Sequence, residues 1–150
     1  MLRTTYKPAP TYQIGLMKSQ IYRSMNGYLT KALVPYNITP PEWMLIGSIY
    51  ENGQILPTEL SQNLGVKPPV VTSSLKSLQD KKIIHKERST RDGRYARVSL
   101  TLKGKQIVAE AEAVMQQDLK AFLHGIKPAD LKVYNRVLMA IFTKISNVAA

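Results

Sequence analysis

Residues 57–80 read PTELSQNLGVKPPVVTSSLKSLQD, and the spacing of their apolar residues decides the fold. Pro57 opens a short helix through Leu60 and Leu64, and Gly65 is placed to take the left-handed conformation that ends it. After Val66 a second helix follows almost at once, with Val71, Leu75 and Leu78 recurring on one side. Two short helices joined through Leu64-Gly65-Val66 have the spacing of a helix-turn-helix. With Val71, Leu75 and Leu78 committed to a core, the opposite face offers Lys67, Pro69, Val70, Thr72, Ser73, Lys76 and Ser77. Hydroxyls at Thr72, Ser73 and Ser77 can meet bases or phosphates, and Lys67 and Lys76 can reach phosphates or a guanine edge. Pro68 and Pro69 preset the first turn and lack donors, so contact with a thymine methyl is the most they offer a base. The competing reading of this face is a solvated helix surface, because small polar residues and lysines are ordinary exposed chemistry.

Working outward, Ile83-Ile84 leads to a polar loop and then to Tyr95-Ala96-Arg97-Val98-Ser99-Leu100-Thr101. Ala96, Val98 and Leu100 alternate with Tyr95, Arg97 and Ser99, the pattern of a half-buried strand. Asp92-Gly93 signals a turn, so residues 84–101 read as a hairpin. Arg88, Arg91, Arg94 and Arg97 crowd this hairpin where no core requires them. An arginine at the tip of a thin ribbon can enter a minor groove, where a narrow A·T-rich section deepens the negative potential. Asp92 then serves as a brace that fixes the Arg94 guanidinium, although an exposed ion pair alone is worth little.

Upstream, Thr39, Pro40 and Glu42 spell a capping box with proline at the first helical position. Trp43, Ile46 and Ile49 or Tyr50 follow on the inward side, and Asn52-Gly53 ends the segment. Residues 1–13 read as an extended arm through Lys7-Pro8-Ala9-Pro10. Ile14, Met17, Ile21, Met25, Tyr28 and Ala32 then form the apolar stripe of a long helix, broken at Val34-Pro35-Tyr36-Asn37. Downstream, Val108, Ala111, Met115, Leu119 and Phe122 mark another helix, separated by Gly125 and Pro128 from a last one. There Leu131, Tyr134, Leu138, Ile141, Ile145 and Val148 alternate steps of three and four, the seam of a coiled-coil-like contact.

Composition sets the outer limits. The chain has 150 residues with 21 Lys or Arg against 10 Asp or Glu, a net charge of +11, and suits one domain or one subunit of an oligomer. Residues 67–105 hold eleven of the basic residues and three acids (Asp80, Glu87, Asp92), a local balance of +8. A surplus so confined is the footprint expected of a phosphate-binding surface, with a solvated charged face as the bland alternative. No stretch is long and apolar enough to span a membrane and no secretory leader is recognisable, so a soluble, cytoplasmic protein is expected. With no cysteine, disulfides, thiolate-bound zinc and cysteine redox sensing are excluded. His85 and His124 fall on different elements without carboxylates at ligand spacing, and both are expected at the surface. No nucleophile elbow or phosphate-cradling glycine loop appears, so neither catalysis nor a cofactor nor a metal is expected.

The run Asp92-Gly93-Arg94-Tyr95-Ala96-Arg97-Val98-Ser99-Leu100-Thr101-Leu102-Lys103-Gly104 resembles the wing signature of the MarR (multiple antibiotic resistance regulator) family: Asp-x-Arg, then Val-x-Leu-Thr-x-x-Gly. Glu59-Leu60-Ser61 with Leu64-Gly65-Val66 is similar to that family's helix-turn-helix, and the helix order matches over nearly the whole chain. The resemblance implies a mainly α fold with a small β-hairpin wing. Residues 1–38 would be the arm and first dimerisation helix, 39–104 the winged helix-turn-helix lobe, and 105–150 the C-terminal dimerisation helices. It also implies a homodimeric transcription regulator of double-stranded DNA, in most members a repressor, often released by a small aromatic effector. Arg94 would be the minor-groove arginine and Asp92 its organiser. Ile14, Met17, Ile21, Leu131, Leu138, Ile141 and Ile145 would build the dimer, and Tyr28, Tyr36 and Trp43 are candidates to line an effector pocket, against the plainer reading of core or interface residues. Departures from the family pattern are Lys67 and Ser73, where Ser or Thr and then Arg are usual in the recognition helix, and Lys82, where Gly is common. The runner-up reading is a winged-helix module that binds protein or RNA without operator specificity.

Overall fold

The computed structural model describes residues 11–88 and 96–148. Its elements are α1 (Thr11–Leu33), a short 3-10 turn (Val34–Tyr36), α2 (Pro40–Asn52), β1 (Gln54–Ile55), α3 (Pro57–Leu64), α4 (Pro68–Asp80), β2 (Ile84–Arg88), β3 (Ala96–Leu100), α5 (Leu102–Phe122) and α6 (Pro128–Val148). The mainly helical architecture with a small antiparallel sheet is a winged helix. The chain divides into two compact units, Met1–Met115 and Gln116–Ala150.

In the first unit the predicted helix-turn-helix forms as spaced. Leu60, Val71, Leu75 and Leu78 are buried and pack with Ile46 and Ile49 of α2. Gly65 adopts φ 61°, ψ 29°, and its amide donates to the Gln62 and Ser61 carbonyls. The Ser61 hydroxyl donates to the Val66 carbonyl at 2.6 Å, so the residues flanking the turn are tied across it. α2 starts with the full capping box, Thr39 and Glu42 each bonding the other's backbone amide.

Three readings of the sequence need correction here. Helix α1 begins at Thr11, so Tyr12 and Gln13 are helical rather than part of an arm. On α2 the inward residues are Glu42, Leu45, Ile46 and Ile49, while Trp43 is half-buried and Tyr50 is exposed. The sheet has a third strand: β1 pairs with β3, which also pairs with β2, in the order β1-β3-β2. A strand of two residues has no room to show alternation, which is why no pattern announced it.

The register places Ile84 opposite Leu100, His85 opposite Ser99 and Glu87 opposite Arg97. Val98, Leu100, Ile84 and Ile55 are buried on the core side. Ser99, expected outward, is buried too: it lies on the central strand between Gln54 of β1 and His85 of β2, and its hydroxyl is 3.0 Å from His85 Nε2. The start of α5 closes this unit with Ile107, Val108 and Ala111 buried. In the second unit Pro128–Val148 is a single helix whose Tyr134, Leu138, Ile141 and Ile145 are exposed, and Leu131 is half-buried. No helix among the described residues is long and apolar enough to cross a membrane.

Candidate nucleic-acid interface

Helix α4 presents the surface that the spacing of Val71, Leu75 and Leu78 foretold. Lys67, Pro69, Val70, Thr72, Ser73 and Lys76 are all exposed on it. Its start is unusual in having no acid in the first turn and no side-chain cap. Pro68 and Pro69 have no amide hydrogen, and the Val70 and Val71 amides both donate to the Lys67 carbonyl. Backbone amides are therefore engaged at this end, and the attraction for a phosphate rests on the Lys67 ammonium and the helix dipole.

The hydroxyls behave differently from one another. Thr72 Oγ1 donates to the Pro68 carbonyl and Ser73 Oγ to the Val70 carbonyl, each at 3.0 Å. A hydroxyl bonded back to its own helix turns its lone pairs outward, which suits it to accept from an exocyclic amino group of adenine or cytosine. Ser77 is turned elsewhere: it is half-buried and donates to Glu42 Oε1 at 2.7 Å. The spacing that grouped Ser77 with the exposed face gave no sign of this partner, 35 residues away.

Several cations of the basic quarter also have partners within the protein. Lys81 Nζ is 2.8 and 2.9 Å from the two Glu42 oxygens, and Lys103 Nζ donates to the Lys81 carbonyl at 2.9 Å. Burial pushes the Glu42 carboxyl up, but hydrogen bonds from Lys81, Ser77 and Thr39 outweigh it and hold the group below the ordinary carboxylate range. Arg97 reaches the Gln54 carbonyl at 3.5 Å and sits opposite Glu87, one pair before the end of the described β2–β3 ladder. Lys67, Lys76, Lys82, Lys86 and Lys105 remain exposed, and none of them forms an ion pair among the described residues. Arg91, Asp92 and Arg94 lie outside the described residues, as does the Arg88 side chain.

The wing root holds one cluster that sequence spacing did not suggest. His85 Nε2 is 2.8 Å from Glu87 Oε1 as well as 3.0 Å from Ser99 Oγ, and Gln54 Nε2 donates to Glu87 Oε2 at 3.2 Å. With Tyr50 and Lys105 these residues line an open cavity of about 610 Å³. Both short contacts of His85 fall on the same ring nitrogen, which is not the arrangement of a nucleophile, base and orienting acid in series. No group of three or more metal-ligating side chains occurs among the described residues.

The candidate effector residues do not line that cavity. Tyr36 and Trp43 are half-buried against the core of the first unit, and the Tyr36 phenol donates to Glu110 Oε2 at 3.2 Å. Burial, and then the Glu110 carboxylate, push that phenol up from its ordinary value. Tyr28 is exposed, with Lys31 Nζ 5.8 Å from its ring centre.

Residues 36–94, which start at the end of the 3-10 turn and run past β2, match the sequence model of the MarR family. Solved structures extend the likeness to most of the chain. A MarR transcriptional regulator from Methanosarcina mazei Go1 is 21% identical, with 92% of this chain and 99% of that chain covered and a TM-score of 0.82. A mutant MarR from E. coli complexed with operator DNA is 22% identical, with 86% and 93% covered and a TM-score of 0.77. The YusO protein from Bacillus subtilis is 19% identical, with 88% and 94% covered and a TM-score of 0.66. At such identities the likeness establishes the fold. The chain thus has the winged-helix fold of those MarR structures, and the segment that matches the family's sequence model contains the whole helix-turn-helix.

Proposed function

We propose that this protein is a sequence-specific DNA-binding transcription regulator, a homodimeric and ligand-responsive repressor that reads a pseudopalindromic operator. The observation that carries the proposal is the exposed α4 face, where Lys67, Val70, Thr72, Ser73 and Lys76 surround a helix packed from behind by Val71, Leu75 and Leu78. Such a helix lies in a major groove with its N-terminal half toward the bases, while the two lobes of a dimer meet half-sites about one turn (~10 bp) apart. Phosphate contacts supply most of the affinity, so binding falls steeply with salt. Arg94 enters the minor groove with Asp92 as its brace, and Arg88, Arg91 and Arg97 add charge beside it.

Dimerisation draws support from apolar surface that a lone chain leaves in water. Met17 and Ile21 on α1 and Leu138, Ile141 and Ile145 on α6 are exposed at helical spacing. With Leu131 and Ile14 they form the proposed interface. An aromatic effector acts by favouring a lobe separation that mismatches the groove repeat, and Tyr28, Tyr36 and Trp43 are its candidate contacts.

The test is gel-shift competition between the DNA upstream of the protein's own gene and random duplex, at two salt concentrations. A regulator retains its preference for the upstream DNA at the higher salt. Equal competition by random duplex refutes operator reading and leaves the winged-helix module that binds protein or RNA without operator specificity.

A further inference from the structure

Glu42 is the most heavily bonded carboxylate among the described residues. It is 4% exposed, and its two oxygens accept five hydrogen bonds. Oε2 accepts from the Thr39 amide at 2.8 Å, the Thr39 hydroxyl at 3.0 Å and Lys81 Nζ at 2.9 Å. Oε1 accepts from the Ser77 hydroxyl at 2.7 Å and from Lys81 Nζ at 2.8 Å. A capping box needs only the Thr39 half of this set. The other half comes from Ser77 and Lys81, four residues apart at the C-terminal end of α4.

The connection continues past Lys81. Its carbonyl accepts from Lys103 Nζ, and the next two carbonyls, of Lys82 and Ile83, accept from the Thr101 hydroxyl at 2.8 and 3.0 Å. One ion pair therefore joins the start of α2 to the end of α4, and the residues just beyond it are held by the start of α5. Apolar packing through Val71, Leu75 and Leu78 holds α4 against the core but is non-directional and permits sliding and rolling. Charge-assisted hydrogen bonds are directional, and here they act at the end of α4 opposite the proposed groove contacts.

We propose that Glu42 is a positioning residue for the recognition helix, and that Lys81 is its counter-ion rather than a contact to DNA phosphate. The inference rests on the DNA-binding reading above. It removes one cation from the apparent phosphate-binding surplus and gives a buried acid, on a different helix, control over how the α4 side chains meet the bases. With the anchor gone, the base-reading contacts of Thr72, Ser73 and Lys76 lose their fixed aim, whereas the number of neutralised phosphates stays the same.

Two variants separate these effects, Glu42→Gln and Lys81→Met, with Lys76→Met for comparison. All are assayed at a temperature where circular dichroism shows them folded. Glu42→Gln and Lys81→Met are expected to weaken operator binding about tenfold each, the scale of one impaired base contact. The double variant should be no weaker than the worse single one, because both remove the same link. The slope of log K against log salt should match that of the unaltered protein in both, and fall by about one in Lys76→Met. A slope reduced by about one in Lys81→Met makes Lys81 a phosphate contact and overturns the assignment, as does unaltered affinity in both variants. Amide hydrogen exchange gives a readout independent of DNA. Residues 77–83 should exchange faster in Glu42→Gln while those of α3 do not, and unchanged exchange overturns the anchor even if the protein proves not to be an operator binder.

Discussion

Gly104 offers a test in which local and tertiary physics predict opposite signs. It is the third residue of α5, and replacing glycine by alanine in a helix ordinarily gains about 0.8–1.0 kcal/mol. In the structure Gly104 is buried, and a Cβ there would lie 2.3 Å from the Ile83 carbonyl oxygen. Ordinary contact is restored only if the two backbones part by roughly 1 Å. The Ile83 carbonyl has little freedom to retreat, since it accepts from the Thr101 amide and the Thr101 hydroxyl, both at 3.0 Å. Overpacking of this kind costs about 1–3 kcal/mol, and losing one of those hydrogen bonds about 1 kcal/mol more. After the helix-propensity gain is subtracted, Gly104→Ala is expected to destabilise by about 2 kcal/mol. For a chain of this length that lowers the melting temperature by roughly 4–8 °C, measured at a fixed protein concentration because the proposed dimer couples the two. A variant melting at or above the unaltered protein would refute the close approach of α5 to residue 83.

Lys82 tests the reverse case. It sits at φ 60° just after α4, where its amide donates to Gln79 O and the Ile83 amide to Leu78 O, the bonding of a Schellman stop. Lys82→Gly removes a left-handed side-chain penalty and should stabilise by about 1 kcal/mol, read as a higher urea midpoint at unchanged slope. The lowered Glu42 pKa fixes a sign in acid: the folded state holds that proton less tightly than the unfolded chain. Its contribution is thus complete above the ordinary carboxylate range and lost as pH falls through the folded value. Urea midpoints of the unaltered protein should fall toward those of Glu42→Gln as pH drops from 7 to about 3, and a constant gap contradicts the pairing. Arg94→Ala should weaken operator binding sharply with the dimer intact, checked by gel shift and sizing. Leu138→Asp or Ile141→Asp should give a monomer in sizing and lose operator binding with it; a variant that stays dimeric refutes the seam.

Elements marked by their own residues were legible in advance. The Leu60, Val71, Leu75 and Leu78 spacing, the Gly65 stop and the Thr39-Pro40-Glu42 start are each local signals, and the structure realises all three. What stayed hidden depends on partners distant in sequence. Ser99 is buried on a central strand between Gln54 and His85, 45 and 14 residues away, and Ser77 is half-buried with its hydroxyl bonded to Glu42, 35 residues away. Trp43 looked like the first core residue of α2, yet that turn is organised by the charged residue beside it. Period counting assigns a residue to a face; it does not say whether a hydroxyl or carboxylate on that face finds a buried partner.

The same limit applies to the charge. Counting residues 67–105 gives +8, and an electrostatic reading treats each cation as available to phosphate. The structure divides them by geometry. Lys81 is neutralised by an acid outside that stretch, Lys103 is spent on a backbone carbonyl, and Arg97 faces Glu87 across the strands. Lys67 and Lys76, on the exposed side of α4, have no such commitment. The salt dependence of DNA binding should therefore count fewer phosphates than the composition advertises. On the proposed function, the difference measures how much of the basic surface is bonded within the protein rather than free to meet phosphate.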